Sequence, residues 1–555
     1  MRNTIFLLMT AAVMFTACEK ELDLSPKDKL SSAEYWKTAE HFETGANAFY
    51  RNLPDIGAIA VDHNSDIIKH ADGNTISQGL NTIPASNGTW NAAYGRIRQR
   101  NILIERGNDP DVQEIAKRYV AEARWFRVYE YFELYKKFGD VPLILRPLDT
   151  GSEELYAPRA PRTEVVDFML NELNAIIEIL PKQSDLPEKE WGRVTWNAAL
   201  ALKSRVALFE ATWGRYHQTG ANVSRYLDEA LSASNALINS GEHELFYSSD
   251  RKRSYYNFFM EEGNDSKEQI VARRYNRELE VTHSYGGDAI NGYGLMFNSS
   301  FIEALLCRDG LPIDKSPLYQ QTGDWLDEWQ NRDPRMRQMV VVPDSAYVIF
   351  RNIDGQPYLP WITQEQGGYM ISKWNVGTKE ALNLGKNVNF AHEIRYAEIL
   401  LNHVEALWEK HGSVTDEQLN LTINAIRDRA GFHSSAFLTN GFATAHNLNI
   451  RNEIRRERMV ELAVEGFRYD DIRRWKIAEQ VLDKPLMGVP FKSTNFQQIY
   501  QDRLGGEWDL VCDPTTGRII TQPDAENRWE EKNYLLPIGF NEIELNPALE
   551  QTVNW

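Results

Sequence analysis

The segment IRRERMVELAVEGFRYDDIRRW, residues 454–475, is the most informative part of this amino-acid sequence. Three glutamates recur at every fourth position and therefore share one face of a predicted helix: Glu457, Glu461 and Glu465. Arginines surround them, so we predict structural ion pairs here and not a catalytic acid cluster. Gly466 then interrupts the helical pattern.

Apolar residues recur at helical spacing on both sides of this segment. The pattern predicts helices over residues 90–104, 125–135, 165–180, 195–213, 224–238, 394–407, 450–464 and 467–481. A capping box of Ser413 and Asp416 predicts the start of a further helix, which Gly431 ends. The helices over 195–213 and 224–238 begin about 30 residues apart, which predicts an antiparallel, TPR-like pair, although the literal TPR signature is absent.

The helical periodicity fades between residues 241 and 389. This stretch contains scattered Gly and Pro, short β-like runs such as residues 339–342, and many aromatic side chains. It is longer than an ordinary connection, and long irregular segments on a rigid scaffold usually carry function. We therefore predict a helical scaffold with one face built from loops.

The composition excludes several classes of function. The chain has 555 residues, of which 42% are hydrophobic and 25% charged, and its net charge is −18. It can bury a large core, but so negative a surface would repel a phosphate backbone, so we expect no nucleic-acid partner. Three cysteines cannot build a disulfide framework or a Cys-only zinc site. The chain has no P-loop, G-x-S-x-G, G-x-G-x-x-G or H-E-x-x-H motif, although composition alone does not exclude a hydrolase.

The first eighteen residues predict export. Residues 5–15 form an apolar run that is too short to span a bilayer and is typical of a signal peptide. The sequence FTAC at 15–18 resembles a bacterial lipoprotein box, with Phe15 where Leu is usual, and the acidic EKE that follows resembles a surface-export signal. Because of this resemblance we expect Cys18 to be acylated. Two or more acyl chains would anchor the protein stably to a membrane. A conventional signal peptide with an incidental Cys18 is the alternative.

Four segments of the chain together resemble the SusD/RagB family of outer-membrane nutrient-binding lipoproteins. They are the aromatic-rich run 121–144, which ends in FGDVPLI; the RDPR turn at 332–335; RYAEILL at 395–401 with INAIRDRAG at 423–431; and segment 454–475. The closing LPI at 536–538 and NP at 546–547 also fit the family. The order of these motifs covers nearly the whole chain, so the resemblance does not depend on any single one.

The resemblance implies a mainly α fold, in which TPR-like helix pairs form a right-handed helical scaffold packed against an irregular, loop-rich ligand-binding region. It implies a signal peptide (1–17), a lipidated N-terminus and tether (18–30), an N-terminal helical region (31–240), the loop-rich region (241–390) and a C-terminal helical region with a terminal wrap (391–555). Members sit as a lid on a TonB-dependent, SusC-like β-barrel and pass it an oligosaccharide, or in some cases a peptide, without breaking bonds. We therefore expect a lipid-anchored glycan-binding protein on the outer-membrane surface.

Exposed aromatic rings on a concave face are the expected signature of a neutral-sugar site. Ring faces stack on sugar C–H groups, while polar side chains bond the hydroxyls. The candidates beside or within loops are Trp90, Tyr293, Trp325 and Trp361. Core packing is the competing interpretation for each of them, most of all for Trp90, which continues a helical apolar stripe. Trp329 is either a partner of Trp325 or core filling.

The remaining candidate groups are expected to be structural. Cys307 and Cys512 are predicted to be buried thiols, and a bridge between them is left open. His392 and His403 are predicted to be satisfied histidines and not a ligand pair. No cofactor is expected, and a structural calcium ion is left open.

The alternative functions are a binder of peptides or other non-sugar nutrients on the same fold, a surface glycosidase, and a mainly structural lid.

Overall fold

Long helices dominate the N-terminal part of the structure. The computed structural model describes residues 35–59, 61–69, 74–285, 295–343, 359–375, 385–523 and 527–555. The helices of this part are α1 Ala39–Tyr50, α2 Ile56–Ile59, α3 Gly88–Gly107, α4 Gln113–Phe138, α5 Arg162–Ile177, α6 Trp196–His217 and α7 Val223–Ser240. From α3 onward each helix packs against the next, so the mainly helical fold class is confirmed.

Helices α6 and α7 form the predicted antiparallel pair. Lys203, well before the connecting turn, forms an ion pair at 2.6 Å with Glu229, well after it. Next to the turn the two backbones approach closely, because a Cβ on Gly214 would lie only 2.8 Å from the Cβ of Ala221. A larger residue at Gly214 would push the pair apart.

Shorter helices follow in the rest of the chain. Those before residue 390 are α8 Ser254–Phe258, α9 Ser299–Ala304 and α10 Met336–Met339. Those after it are α11 Tyr396–His411, α12 Asp416–Leu419, α13 Ala425–Ala430, α14 Asn440–Ala445, α15 Ile450–Glu461, α16 Arg468–Arg474, α17 Ala478–Leu482, α18 Phe496–Leu504 and α19 Phe540–Leu545. A π-helical turn, Asn420–Asn424, joins α12 to α13.

Small antiparallel sheets connect the loop-rich residues to the helices. The strands are β1 Ile68–Lys69, β2 Gln269–Arg273, β3 Met296–Phe297, β4 Tyr369–Met370, β5 Ala391–Arg395, β6 Leu486–Pro490 and β7 Arg518–Gln522. Among the described residues they form one sheet in the order β1-β3-β4 and the pairs β2-β5 and β6-β7. Strands from distant parts of the chain are thereby held together by backbone hydrogen bonds.

Two large hydrophobic clusters form the core, and segment 454–475 lies between them. The first cluster joins α1 and α3–α7 to α11 and α16 and includes Leu462 and Ile472. The second fills the loop-rich part and includes Val460, Ala463 and Val464. Successive side chains of one short segment therefore enter different cores, which locks the helical scaffold to the loop-built part.

Two predicted helix starts are wrong. Ile394 lies in β5, opposite Val271 of β2, so the helix begins only at Tyr396. The capping box is formed by Thr415 and Gln418, and not by Ser413 and Asp416. Thr415 has the extended backbone that an N-cap requires, and its hydroxyl and the Gln418 amide each bond the other residue's backbone N–H.

Two further predicted segments are interrupted in the structure. The helix predicted over 467–481 is divided into α16 and α17, because Lys476 adopts a left-handed backbone with φ of 52°. In the β-like run 339–342, Met339 is the last residue of α10, and Val340 forms a single bridge to Ile371. Local periodicity alone does not register such breaks.

Candidate functional site

The glutamates of segment 454–475 are structural, as predicted. Arg395 bonds Glu461 at 2.8 Å and Glu465 at 2.7 Å, and Arg335 bonds Glu457 at 2.6 Å. All five of these side chains are almost completely buried. Burial would raise the pKa of Glu461, but the surrounding guanidinium groups outweigh it and hold that pKa at about 2. A carboxyl so firmly ionised cannot serve as a general acid, so this cluster holds the fold together.

Trp90 and Trp325 are buried inside the two cores. Trp90 is 6% exposed and contacts the rings of Tyr94 and Phe138, each at 5.1 Å. Trp325 is 7% exposed and stacks on Phe496 at 4.9 Å, with the two rings nearly parallel. Trp90 nevertheless lines a concavity together with Tyr94 and Tyr156, and ligand contact by Trp90 or by Trp325 stays a prediction. Trp329 is buried in the same cluster as Trp325.

Two other predicted residues fall outside the part of the chain that the structure describes. Tyr293 belongs to the gap between residues 285 and 295, and Cys18 precedes residue 35. Ligand contact by Tyr293 and acylation of Cys18 therefore stay predictions.

Trp361 is the predicted aromatic residue that stands free at the surface. Its side chain is 61% exposed, and it immediately precedes a tight turn over residues 362–367. Within the turn the Thr363 N–H donates to the Gln366 carbonyl at 3.0 Å, and the Thr363 hydroxyl accepts from the N–H groups of Glu365 and Gln366. The turn is thus internally bonded, which gives the indole a fixed support.

The β6-β7 pair holds this turn in place. The side-chain amide of Gln364 donates to the Ile520 carbonyl at 2.5 Å and accepts from the Val511 N–H at 2.8 Å. A Cβ on Gly367 would lie 2.7 Å from the Cα of Gly488, so the two backbones touch and only glycine fits there. Trp361 is therefore carried on a loop that is bonded to a strand pair far along the chain.

Polar residues on the same turn follow Trp361 in the sequence. We call Trp361, Thr363, Glu365 and Val511 the Trp361 surface; Glu365 and Val511 are exposed, and Thr363 is half-buried. The Thr363 hydroxyl donates to the Glu365 carboxylate at 2.9 Å and lowers the pKa of that carboxyl. Glu365 is thus an ionised acceptor at neutral pH. An open ring beside hydrogen-bonding groups suits a sugar, whose faces are apolar and whose edges carry hydroxyls.

A second concavity was not foreseen from the sequence. It encloses about 670 Å³ where α3, α4, α6 and α16 meet, and we call it the charged cleft. Its charged lining side chains are joined in pairs: Arg96 with Glu130 at 2.7 Å, Lys136 with Asp470 at 2.7 Å and Arg205 with Glu393 at 2.6 Å. Because these charges compensate each other, the cleft suits a polar ligand with little net charge.

The other candidate groups behave as structural groups. His403 bonds Ser234 at 2.9 Å, as predicted for a satisfied histidine. His392 is satisfied only in part, because its Nε2 lies 3.2 Å from the Phe258 carbonyl whereas its Nδ1 is buried without a hydrogen-bond partner. Cys307 and Cys512 are free thiols; Cys307 is buried as expected, whereas Cys512 is only half-buried. Within the described ranges no three His, Cys, Asp or Glu side chains come together as metal ligands would. No helix there is both long and apolar enough to cross a membrane.

Comparisons with known families match most of the chain. Residues 257–555 match the family model described as the SusD family. Residues 22–208 match a model described as "Starch-binding associating with outer membrane". The two matches lie on either side of residues 209–256 and cover both the helical scaffold and the loop-built part.

Individual relatives resemble the chain over nearly its full length. SusD-like protein P38 of Formosa agariphila is 24% identical over 528 residues, which covers 87% of this chain and 93% of the relative. A SusD-like carbohydrate binding protein from Bacteroides fragilis is 24% identical, with a TM-score of 0.74 over 93% of this chain and 99% of its own. Surface glycan-binding protein A from Bacteroides uniformis is 22% identical, with a TM-score of 0.59 over 93% of this chain and 99% of its own. At these identities the structural likeness establishes the fold.

Proposed function

The chain belongs to the SusD family, and we propose that it binds an oligosaccharide at the outer membrane without cleaving it. The description of the N-terminal family model, which refers to starch and to the outer membrane, supports this proposal. So do the names of two similar structures, one a carbohydrate binding protein and one a surface glycan-binding protein. The observation that carries the proposal is the exposed Trp361 on its bonded turn.

The Trp361 surface has the chemistry that a neutral sugar requires. The indole face is electron-rich and stacks on the slightly positive C–H groups of a pyranose ring, which contributes about 0.5–1.5 kcal/mol beyond area burial. Thr363 and Glu365 can bond the hydroxyls at the edge of the ring. Because the turn is hydrogen-bonded internally and to the β6-β7 pair, it loses little conformational entropy when the sugar binds.

Trp361→Ala is expected to weaken oligosaccharide binding about tenfold, because loss of the stacking contact costs about 1.4 kcal/mol. Isothermal titration of the wild-type protein and the variant against plant, host and microbial oligosaccharides measures the change. Trp191→Ala is the matched control, because Trp191 is also a surface tryptophan, 47% exposed, and lies between α5 and α6.

If the Trp361→Ala variant keeps full affinity for an oligosaccharide that the wild-type protein binds, Trp361 does not belong to the site. If the wild-type protein binds none of the oligosaccharides in the panel, the ligand is a non-sugar nutrient. Chromatography of the same mixtures after long incubation should recover only uncleaved oligosaccharide; released products would instead support a surface glycosidase.

A second candidate function is the binding of a peptide or another non-sugar nutrient. The charged cleft favours it, because paired cations and carboxylates suit a zwitterionic or polar chain better than a sugar face. Titration with short peptides in the same experiment separates the two candidates.

We further propose that the protein is anchored by acyl chains on Cys18 and delivers its ligand to a TonB-dependent, SusC-like β-barrel. A binding protein held at the membrane that releases its ligand unchanged needs an adjacent pore. The protein extracted from native membranes in mild detergent is expected to co-purify with a large β-barrel through a broad interface. Cys18→Ser should abolish both acylation and membrane recovery. Isolation of the acylated protein without any barrel would contradict the proposed partnership.

A further inference from the structure

A basic pocket lies at one end of the helical scaffold, separate from the Trp361 surface. It encloses about 630 Å³ between the end of α6, the first turns of α15 and the turn that joins α16 to α17. Five of its eleven lining residues are cationic, and none is Asp or Glu: Arg451, Arg455, Arg456, Arg468 and Lys476. In a chain with a net charge of −18, such a concentration of positive charge is a local exception.

Three of the five cations are compensated by carboxylates outside the pocket lining. Arg468 makes two bonds of 2.8 Å to Asp66. Lys476 pairs with Glu531 at 3.0 Å, and Arg456 lies 3.3 Å from Glu453. These partners fix the positions of the three side chains, so the positive wall of the pocket is preorganised.

The other two cations are compensated less: Arg451 has no carboxylate partner among the described residues, and Arg455 has only the 3.6 Å ion pair with Glu409. No described residue accepts a hydrogen bond from the side chain of Arg451, which is exposed, or from that of Arg455. The Nε and Nη2 atoms of Arg455 are buried without an acceptor, and the nearest carboxylate, that of Glu409, is 3.6 Å away. Burial lowers the pKa of Arg455 more than the nearby Tyr216, Glu405 and Glu409 raise it. A guanidinium in this position gains from an additional anionic acceptor.

Aromatic rings flank the Arg455 guanidinium and restrict its movement. Its Cζ lies 4.5 Å from the ring centre of Trp475 and 4.9 Å from that of Tyr216. Arg451 lies one helical turn earlier in α15, so the two side chains belong to the same helix face. Two guanidinium groups on one face can bond the oxygens of a carboxylate or sulfate with several donors.

We infer that the basic pocket binds the carboxylate or sulfate group of an acidic saccharide, with Arg451 and Arg455 as the oxyanion donors. The saccharide part of this inference rests on the proposed function. The oxyanion part rests on the charge of the pocket itself. The volume of about 630 Å³ is far larger than a bare oxyanion, so the group belongs to a larger polar molecule. Asn452 and Gln480, exposed at the rim, can bond its hydroxyls.

Titration with a uronate-containing oligosaccharide and with its carboxyl-reduced counterpart tests the inference. The acidic probe should bind at least tenfold more tightly, and the double variant Arg451→Gln, Arg455→Gln should abolish the difference. Arg106→Gln, at an exposed arginine of α3, is the control and should preserve it. The inference would be overturned if the wild-type protein bound the two probes with equal affinity. It would also be overturned if the double variant kept the preference for the acidic probe.

A second measurement separates the pocket from the proposed function. Inorganic sulfate, titrated against chloride at constant ionic strength, should raise the thermal midpoint of the wild-type protein and raise it less in Arg451→Gln. Because Arg451 is exposed, this variant preserves the packing around Trp475. If no saccharide binds, the proposed function fails, but the shift of the thermal midpoint by sulfate still tests the oxyanion site. A sulfate response that is identical in wild type and variant would overturn the oxyanion site.

Discussion

Arg395→Met is expected to lower the free energy of unfolding by roughly 3–5 kcal/mol, or to prevent folding altogether. Arg395 donates to Glu268 at 2.9 Å, to Glu461 at 2.8 Å and to both oxygens of Glu465 at 2.7 Å. These side chains are almost completely buried. Methionine would replace the volume of the arginine but would leave the carboxylates without their shared cation in a medium that hydrates them poorly.

Urea unfolding of the wild-type protein and the variant at neutral pH measures this loss. Arg146→Met is the matched control, because Arg146 pairs with Glu154 at 2.7 Å but the two side chains are 54% and 43% exposed. An exposed pair of this kind contributes about 0–1 kcal/mol. Equal losses in the two variants would show that burial does not determine the cost, and would contradict the structural role given to segment 454–475.

Arg395→Lys tests the geometry of the same network. Lysine keeps the positive charge but has no planar fork, so it cannot serve Glu268, Glu461 and Glu465 together. We expect its stability to lie between those of the wild-type protein and Arg395→Met. A lysine variant as unstable as the methionine variant would mean that the fork, and not the charge, carries the interaction.

His392→Gln is expected to make the stability of the protein less sensitive to acid. His392 is buried against Phe258, with ring centres 4.2 Å apart, and burial lowers its pKa to about 3. In the unfolded chain a histidine has a pKa of about 6.5. The folded state therefore binds fewer protons, so the contribution of His392 is complete above pH 6.5 and is lost as the pH falls towards 3.

The quantity to measure is the pH slope of the free energy of unfolding between pH 6 and pH 4. Removing one such proton should make the slope shallower by up to about 1.4 kcal/mol per pH unit. Glutamine can still donate to the Phe258 carbonyl, and any constant loss of stability does not alter the slope. His411→Gln, at an exposed histidine, controls for the substitution itself.

Other buried groups also titrate, so the comparison between variants is essential. His217 has a pKa of about 4 and acts in the same direction as His392. Asp62 acts in the opposite direction, because burial raises its pKa from about 4 to about 7, so that the folded state binds more protons between these values and stability falls as the pH rises through this range. Both groups are present in the wild type and in His392→Gln, so they cancel in the difference. Parallel curves for the two proteins would show that His392 is not the group responsible.

The sequence predicted the regular helices well because their signal is local. Apolar spacing close to 3.6 residues identified α3, α4, α6 and α7. One error arose where a distant segment competes with the helix. Ile394 fits the helical pattern of α11, but pairing with β2 places it in a strand. A pattern within a dozen residues carries no information about such a partner.

The candidate site was predictable only in part. Trp325 and Trp361 both lie in irregular segments and look equivalent in the sequence, yet one is 7% and the other 61% exposed. The difference is that Phe496, from a distant part of the chain, covers Trp325. The charged cleft gave no sequence signal either, because its lining residues come from several separate elements. The basic pocket is lined mostly by residues 451–480, but the sequence did not show which of their side chains border a common space.

The amino-acid sequence by itself thus determined the family, the helical architecture and the use of the segment 454–475 glutamates in ion pairs. Helix formation depends on residues a few positions apart, so it can be recognised in one dimension. Only the tertiary structure decided which indole remains open and which arginines pair with these glutamates, because Arg335 and Arg395 lie far away in the chain. Exposure and charge compensation depend on what other parts of the chain bring to a side chain, and that becomes defined only when the whole polypeptide has packed.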